Sequence, residues 1–351
     1  MDILRPNVIE IDGRCYRRIE WCTARKDDAV QGKVEEKVEQ EDELAWECDG
    51  MRQTDDGFYL ALPIADVFHK FICGKKGETK RRLESDTGAK IKLPRIGQPG
   101  DIEITASTAQ AILSAKTRLE ILVDSARPSL PWTHFISIPL NTTAFIKRFD
   151  SFKEQVMEQA QNARGLDISL FQNPAKLHLT IGVLRLYNSK EQEKASQVLQ
   201  ECLAYVIKPC VSDQGLPLTM QFTGLQYMND DPAEVDVLYA KVKLTDNSDR
   251  LQKMVDGICQ QFVASGLMHQ EYSRVKLHAT LINSIKRQDD DLPEVSAVTK
   301  RPRISFDARP ILQKFNDLKL GEVDLNEIHI SKRNSVDGNG YYQSTAIISI
   351  T

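Results

Sequence analysis

The sequence predicts an α+β fold in two domains, and three observations predict it. Residues 57–127 alternate between strand and helix signatures in the order strand–helix–helix–strand–strand–helix. Two prolines in the stretch Arg127-Pro128-Ser129-Leu130-Pro131 then break the chain, because proline cannot continue a helix. Finally, residues 132–351 contain one short pattern twice: Lys176-Leu177-His178-Leu179-Thr180 and, a hundred residues on, Lys276-Leu277-His278-Ala279-Thr280. A duplicated pattern inside similar strand–helix–strand surroundings predicts a bilobal, pseudo-symmetric domain.

The elements follow in chain order. Within residues 1–26, Val8-Ile9-Glu10-Ile11 and Arg14-Cys15-Tyr16 flank Asp12-Gly13 and read as a hairpin. Too small to form a core, it must dock on the main body or on a partner. Residues 27–56 read as an acidic linker; positions 27–49 carry ten acids and two lysines, a composition that favours solvation over packing. Leu44-Ala45-Trp46 is the one apolar point in it, and partner binding there stands beside plain disorder.

Residues 57–127 begin with the strand Gly57–Leu62. Val67–Cys73 is apolar at helical spacing, Gly74-Lys75-Lys76-Gly77 is a loop, and Glu78–Glu84 is a second helix. Two strands, Ala89–Pro94 and Ile102–Thr105, precede a helix from Ser107 to about Asp124 with Ile112, Ala115, Leu119, Leu122 and Val123 as its buried stripe. Two glycines let the backbone approach a ribose-phosphate chain closely, and a helix N-terminus favours anions. His69 to Arg95 holds nine Lys and Arg against three acids, a local basic patch in a chain of net charge −4.

In residues 132–351, Trp132–Leu140 is a nearly unbroken apolar run and reads as a central strand. A helix follows over 142–164, and Asn173-Pro174 breaks the chain before the first repeat. A helix over 189–206, strands over 218–223 and 235–242, and a helix over 248–264 lead to the second repeat. Residues 286–303 read as an exposed insertion, with Asp289-Asp290-Asp291 and Lys300-Arg301-Pro302-Arg303. A short helix near Ala308–Phe315 and strands 327–331 and 344–350 close the chain.

The repeats carry the chemistry. In a strand, alternate side chains share a face, so His178 and Thr180 point together, as do His278 and Thr280. A single His-x-Thr arises by composition alone in roughly one chain in three of this size. Two copies inside matching Lys-Leu-His-x-Thr frames do not. Two imidazoles can hold complementary protonation states near neutrality, one as base and one as acid, and threonine hydroxyls can donate to phosphate oxygens. Such chemistry needs no cofactor and no metal. Lys176 and Lys276 share the parity of the histidines, with cleft and solvent equally open to them. His69, His134, His269 and His329 read first as structural or surface residues, with cleft lining also open to His134 and His329 and RNA contact to His69.

Composition narrows the classes further. The seven scattered cysteines form no CxxC pair and the histidines no metal-ligand spacing, which argues for a reducing compartment and against a zinc site. No apolar run approaches 18 residues, so no membrane partner is expected. No coiled-coil heptad is present, which predicts a monomer in isolation.

The 57–127 pattern around Gly74-Lys75-Lys76-Gly77 resembles a eukaryotic-type KH domain, a module that binds single-stranded RNA at this loop. The resemblance implies RNA contacts at Gly74, Lys75, Lys76, Gly77, Lys80 and Arg81. The paired His-x-Thr motifs resemble the two-histidine phosphoesterase superfamily, which includes the ligase-T-like RNA 2′,3′-cyclic phosphodiesterases. It implies His178, Thr180, His278 and Thr280 as catalytic residues, in a domain spanning 132–351. A KH domain directly before such a domain resembles the subunits of the helicase-containing activating signal cointegrator 1 complex. That likeness implies a nuclear protein, with cytoplasm also open, acting in transcription and alkylation-damage repair. Two functions follow: a metal-independent phosphodiesterase acting on RNA ends or 2′,3′-cyclic phosphates, or a non-catalytic RNA-binding scaffold.

Overall fold

The computed structural model describes residues 8–11, 14–17, 50–95, 98, 100–212, 218–269, 273–287 and 303–350. The acidic run 27–49 and most of the insertion expected at 286–303 lie outside these residues. Strands β1 (Val8–Ile11) and β2 (Arg14–Arg17) pair antiparallel from Val8↔Arg17 to Ile11↔Arg14, as the Asp-Gly spacing predicts.

The first domain has strands β3 (Arg52–Thr54), β4 (Gly57–Leu62), β5 (Lys90–Lys92) and β6 (Ile102–Ala106), with sheet order β3-β4-β6-β5. β3 lies in the stretch that its charges assign to the linker; it pairs with β4 as an exposed edge. Helices α1 (His69–Cys73), α2 (Glu78–Thr87) and α3 (Ala109–Ala126) cover one face. Thr108 caps α3 by accepting from the Ala111 N–H. The predicted stripe of α3 holds at Ile112, Ala115, Leu119 and Val123, which are buried, whereas Leu122 only borders the core.

The break at the proline pair is held by contacts. Arg127 pairs with Glu191 at 2.7 Å and lies over the rings of Phe68 and Tyr187. Phe68 and Tyr187 themselves meet edge to face at 5.3 Å, so the first core reaches the loop at Tyr187 of the second domain.

The second domain is one eight-stranded antiparallel sheet in the order β12-β9-β10-β11-β8-β7-β13-β14. Its strands are β7 (His134–Pro139), β8 (His178–Leu184), β9 (Thr219–Tyr227), β10 (Val237–Leu244), β11 (Ala279–Asn283), β12 (Lys319–Asp324), β13 (Glu327–Lys332) and β14 (Ser344–Ser349). The order is symmetric about the β8–β11 join, which consists of the single pair Ala279↔Leu179. β12, rich in polar residues, is not apparent in the sequence pattern.

The lobes are not the two halves of the sequence. β13 and β14, from the C-terminal end, complete the lobe of β7 and β8. The helices also cross over. α4 (Thr143–Gln159) connects β7 to β8 yet packs on the other lobe, Phe145 against Phe222 of β9 at 4.9 Å. α7 (Arg250–Ala264) connects β10 to β11 yet reaches β8, where the Cys259 thiol donates to the Ile181 carbonyl. One continuous core therefore spans both lobes. α5 (Ser189–Cys202), extended by a π turn over Leu203–Ile207 into α6 (Lys208–Ser212), and the short α8 (Arg309–Phe315) complete the layer.

Candidate active site and nucleic-acid interface

The two repeats lie on the central strands of the sheet. Continuing the β8–β11 register one residue to either side of Ala279↔Leu179 sets His178 opposite Thr280 and His278 opposite Thr180. Directly opposed Cβ atoms in such a ladder lie about 5 Å apart and diagonal neighbours about 7–8 Å. The histidines occupy the diagonal, a spacing that admits one phosphate. Leu179 and Ala279 point into the core, both fully buried.

A one-residue bulge follows each motif. β7 pairs Ser137 with Thr180 but Ile136 with Gly182, leaving Ile181 as the extra residue. β10 pairs Tyr239 with Thr280 but Leu238 with Ile282, leaving Leu281 extra. A bulge bends a strand and ends strict alternation. It turns Gly182 toward the helices, where a Cβ would collide with Met268. Alternation in the sequence therefore places His and Thr together but fails one residue later.

Each imidazole is held from behind. Nδ1 of His178 lies 2.7 Å from the Lys176 carbonyl, and Nδ1 of His278 lies 2.6 Å from the Lys276 carbonyl. A carbonyl only accepts, so each Nδ1 carries the proton and each Nε2 keeps its lone pair for the cleft. The carbonyls are themselves fixed. Before His178, Asn173 accepts from the Ala175 N–H and shapes the 3-10 turn Pro174–Lys176. Before His278, Asp256 of α7 accepts from the Val275 N–H at 2.8 Å, and Gln252 donates to the Val275 carbonyl. Lys176 thus lies in a turn, so strand parity does not govern it.

Both lysines are nonetheless at the cleft. Lys176 lies over the Tyr342 ring at 4.7 Å, and Tyr342 meets His178 at 5.5 Å. Lys276 lies over the Tyr239 ring at 5.3 Å, and Tyr239 meets His278 at 5.3 Å. Neither tyrosine is legible as a site residue in the sequence. Tyr239 has the strand parity to be found; Tyr342 lies in the loop 333–343 and gives no periodic signal.

Burial pushes His178 down to about 4, and the charges of His278 and Lys286 add to it. Burial also lowers His278, with Lys276 adding. A proton on either imidazole opposes one on the other, so the pair resists carrying two at once. Lys286, in the turn Ser284–Lys286 after β11, is lowered to about 8 by burial and by Lys176 and Lys153. Among the described residues no cluster of three His, Cys, Asp or Glu side chains could hold a metal ion.

The other histidines have other surroundings. His134 is buried and bonded to Thr133, with Nε2 unpartnered. His329 bridges Glu327 and Ser344. His69 bonds the Ile64 carbonyl. His269 lines the rim of a mostly apolar cavity of about 520 Å³, which runs from His278 and Thr180 past Gly182 to Cys259 and Met268.

In the first domain, Gly74 and Gly77 both adopt positive φ, as does Lys76 at 52° between them. A side chain at Gly74 would collide with Thr79, so the loop requires glycine there. Lys75 and Lys76 are exposed. Arg81 turns back to donate to the Lys76 carbonyl at 2.7 Å and the Gly77 carbonyl at 3.3 Å, bracing the loop. Lys80 pairs with Glu84 at 3.7 Å and lines a groove between α2 and β5 with Lys90 and Lys92.

Comparison with known proteins places this geometry. The AKAP7 2′5′ RNA ligase-like domain family matches residues 132–350, and the KH domain family matches residues 60–121. The mouse protein activating signal cointegrator 1 complex subunit 1 is 39% identical over 360 residues, covering 98% of each chain. An uncharacterized Schizosaccharomyces pombe protein, C15D4.13c, is 26% identical over 188 residues, covering 52% of this chain and 81% of its own. A crystal structure of E. coli LigT superposes with a TM-score of 0.35 at 12% identity, over 63% of this chain and 98% of that one.

Proposed function

Because the chain belongs to the AKAP7 2′5′ RNA ligase-like family and carries a KH domain in front, we propose that it is an RNA-binding, metal-independent phosphodiesterase. Its substrates are RNA ends or 2′,3′-cyclic phosphates. One observation carries this reading: two imidazoles with tied Nδ1 atoms present free Nε2 atoms across one phosphate-sized diagonal, each opposite a threonine hydroxyl.

The proposed chemistry needs one base and one acid. His178, which burial keeps neutral down to about 4, takes a proton from water or a ribose 2′-hydroxyl at Nε2. The oxygen so activated attacks phosphorus. His278 gives its Nε2 proton to the leaving oxygen, and charge on the non-bridging oxygens is met by the hydroxyls of Thr180 and Thr280. The exposed Lys75 and Lys76 contact the RNA backbone, with Lys80, Lys90 and Lys92 along the adjoining groove. Likeness to a cointegrator-complex subunit supports a place in a nuclear, helicase-containing assembly.

The test is incubation of the pure chain with short RNAs ending in 2′,3′-cyclic phosphate or 3′-hydroxyl, with and without EDTA, beside a His178→Ala, His278→Ala double variant. Turnover that survives chelation and vanishes in the variant is expected. RNA binding without turnover in the wild type establishes the scaffold instead. Lys75→Asp with Lys76→Asp should weaken RNA binding and flatten its salt dependence; unchanged affinity removes the KH loop as the contact.

A further inference from the structure

We infer that Lys153, Lys176 and Lys286 form a second phosphate subsite on the His178 side of the cleft, which takes the phosphate next to the scissile one. The inference rests on the phosphodiesterase reading and narrows its substrate to one carrying two phosphates.

Three separate elements carry these lysines and adjoin one another: α4 contacts the turn Pro174–Lys176 before β8, and the turn Ser284–Lys286 after β11 packs on Ile168–Leu170, next to Phe171. Lys176 is anchored by donating to the Ser335 carbonyl at 3.1 Å and lies over Tyr342, which touches His178. Lys153 lies over Phe171 at 5.9 Å, and Phe171 bridges to Ile282, four residues before Lys286. All three are half-buried, unlike ordinary surface lysines. Among the described residues none pairs with a carboxylate, although elsewhere the fold pairs its cations freely, as at Arg127–Glu191 and Arg250–Asp246. Three like charges, partly desolvated and uncompensated, are costly unless an anion joins them. Lys286 already bears that cost, being held down to about 8.

The other arm differs. His278 has Lys276 alone over its tyrosine, and beside it opens the mostly apolar cavity. The extra anion therefore belongs on the His178 side only. A flanking phosphate could be the neighbouring diester of an oligonucleotide or a terminal 5′-phosphate, and both present the same oxygens.

Turnover by the full chain of three substrates with one scissile group tests this: uridine 2′,3′-cyclic phosphate, the same nucleotide with a 5′-phosphate, and UpU ending in the cyclic phosphate. At least one extended substrate should show a KM about tenfold lower, as one or two charge-assisted contacts provide. A gain for UpU alone identifies the diester, and a gain for the 5′-phosphate alone identifies the terminal group. Lys153→Gln and Lys286→Gln should each erase most of that preference and reduce the slope of log KM against log salt by about 0.7. Lys286→Arg should keep it. Equal KM values for all three substrates, or a preference untouched by both glutamines, overturns the subsite.

Failure of catalysis is separately visible. Inorganic pyrophosphate, titrated calorimetrically into the His178→Ala, His278→Ala variant, should bind and should lose affinity when Lys153→Gln and Lys286→Gln are added. That result upholds the subsite even if no substrate turns over. Binding that is absent, or indifferent to the lysines, removes it.

Discussion

The two histidine arms are built alike and surrounded differently. Each has a Lys-Leu-His-x-Thr frame, an Nδ1 tied to the carbonyl two residues back, a tyrosine under that lysine, and a bulge after the threonine. Around His178 stand Phe135 at 5.0 Å, Tyr342 and Lys286. Among the described residues His278 meets only Tyr239 among rings, and it adjoins the apolar cavity. The duplicated frame sets the geometry of a proton-transfer pair. The unduplicated neighbours make the two imidazoles unequal, and inequality is what separates a base from an acid.

The largest effect tests whether the arms act as one unit. His178→Ala and His278→Ala should each lower single-turnover rates by about 10²–10⁴-fold, and the double variant should be little worse than either single. Multiplying losses would show two independent sites.

Next is pH. The base must be neutral, above about 4 for His178, and the acid protonated, below a value that lies under 6.5 for His278. The profile of kcat/KM should therefore be a bell whose maximum falls below pH 6.5. Lys286→Gln removes a charge beside His178 and should move the acid limb upward while leaving the alkaline limb in place. Movement of both limbs would break the assignment of base and acid.

A smaller loss separates the two supports. Asp256→Ala frees the Val275 N–H behind His278, and should lower kcat several-fold with little change in KM. Asp256→Asn retains an oxygen acceptor and should recover most of the rate. Asn173→Ala is the matching change behind His178. A KM effect alone would show that neither support acts on the imidazoles.

The smallest effect is on stability. His134, His178 and His278 are all held neutral in the fold by burial. In the unfolded chain they protonate below about pH 6.5, so unfolding takes up protons between that pH and about 4. Stability should be full above pH 6.5 and fall as pH drops through this window, with a shallower fall for His178→Ala. Urea midpoints across pH 4–8 measure both. An unchanged slope would mean the ring is solvated when folded.

Much of this was legible in the residues. The KH order follows from two glycines between amphipathic helices, and the histidine strands follow from alternation over five residues. The contact at the domain junction was not legible because a proline pair signals where a helix stops, not what Arg127 will grip. β3 and β12 were missed because edge strands need not be apolar on either face.

Local pattern alone singled out the residues proposed to carry the chemistry: a histidine and a threonine at fixed spacing, written twice. It did so because strand periodicity is a property of neighbours along the chain. Only the tertiary structure decided that α4 and α7 cross to opposite lobes, that Tyr342, Tyr239 and Asp256 support the imidazoles, and that three lysines from distant segments crowd one arm. Those contacts join residues as far apart as Lys176 and Tyr342, and no period along the chain encodes them.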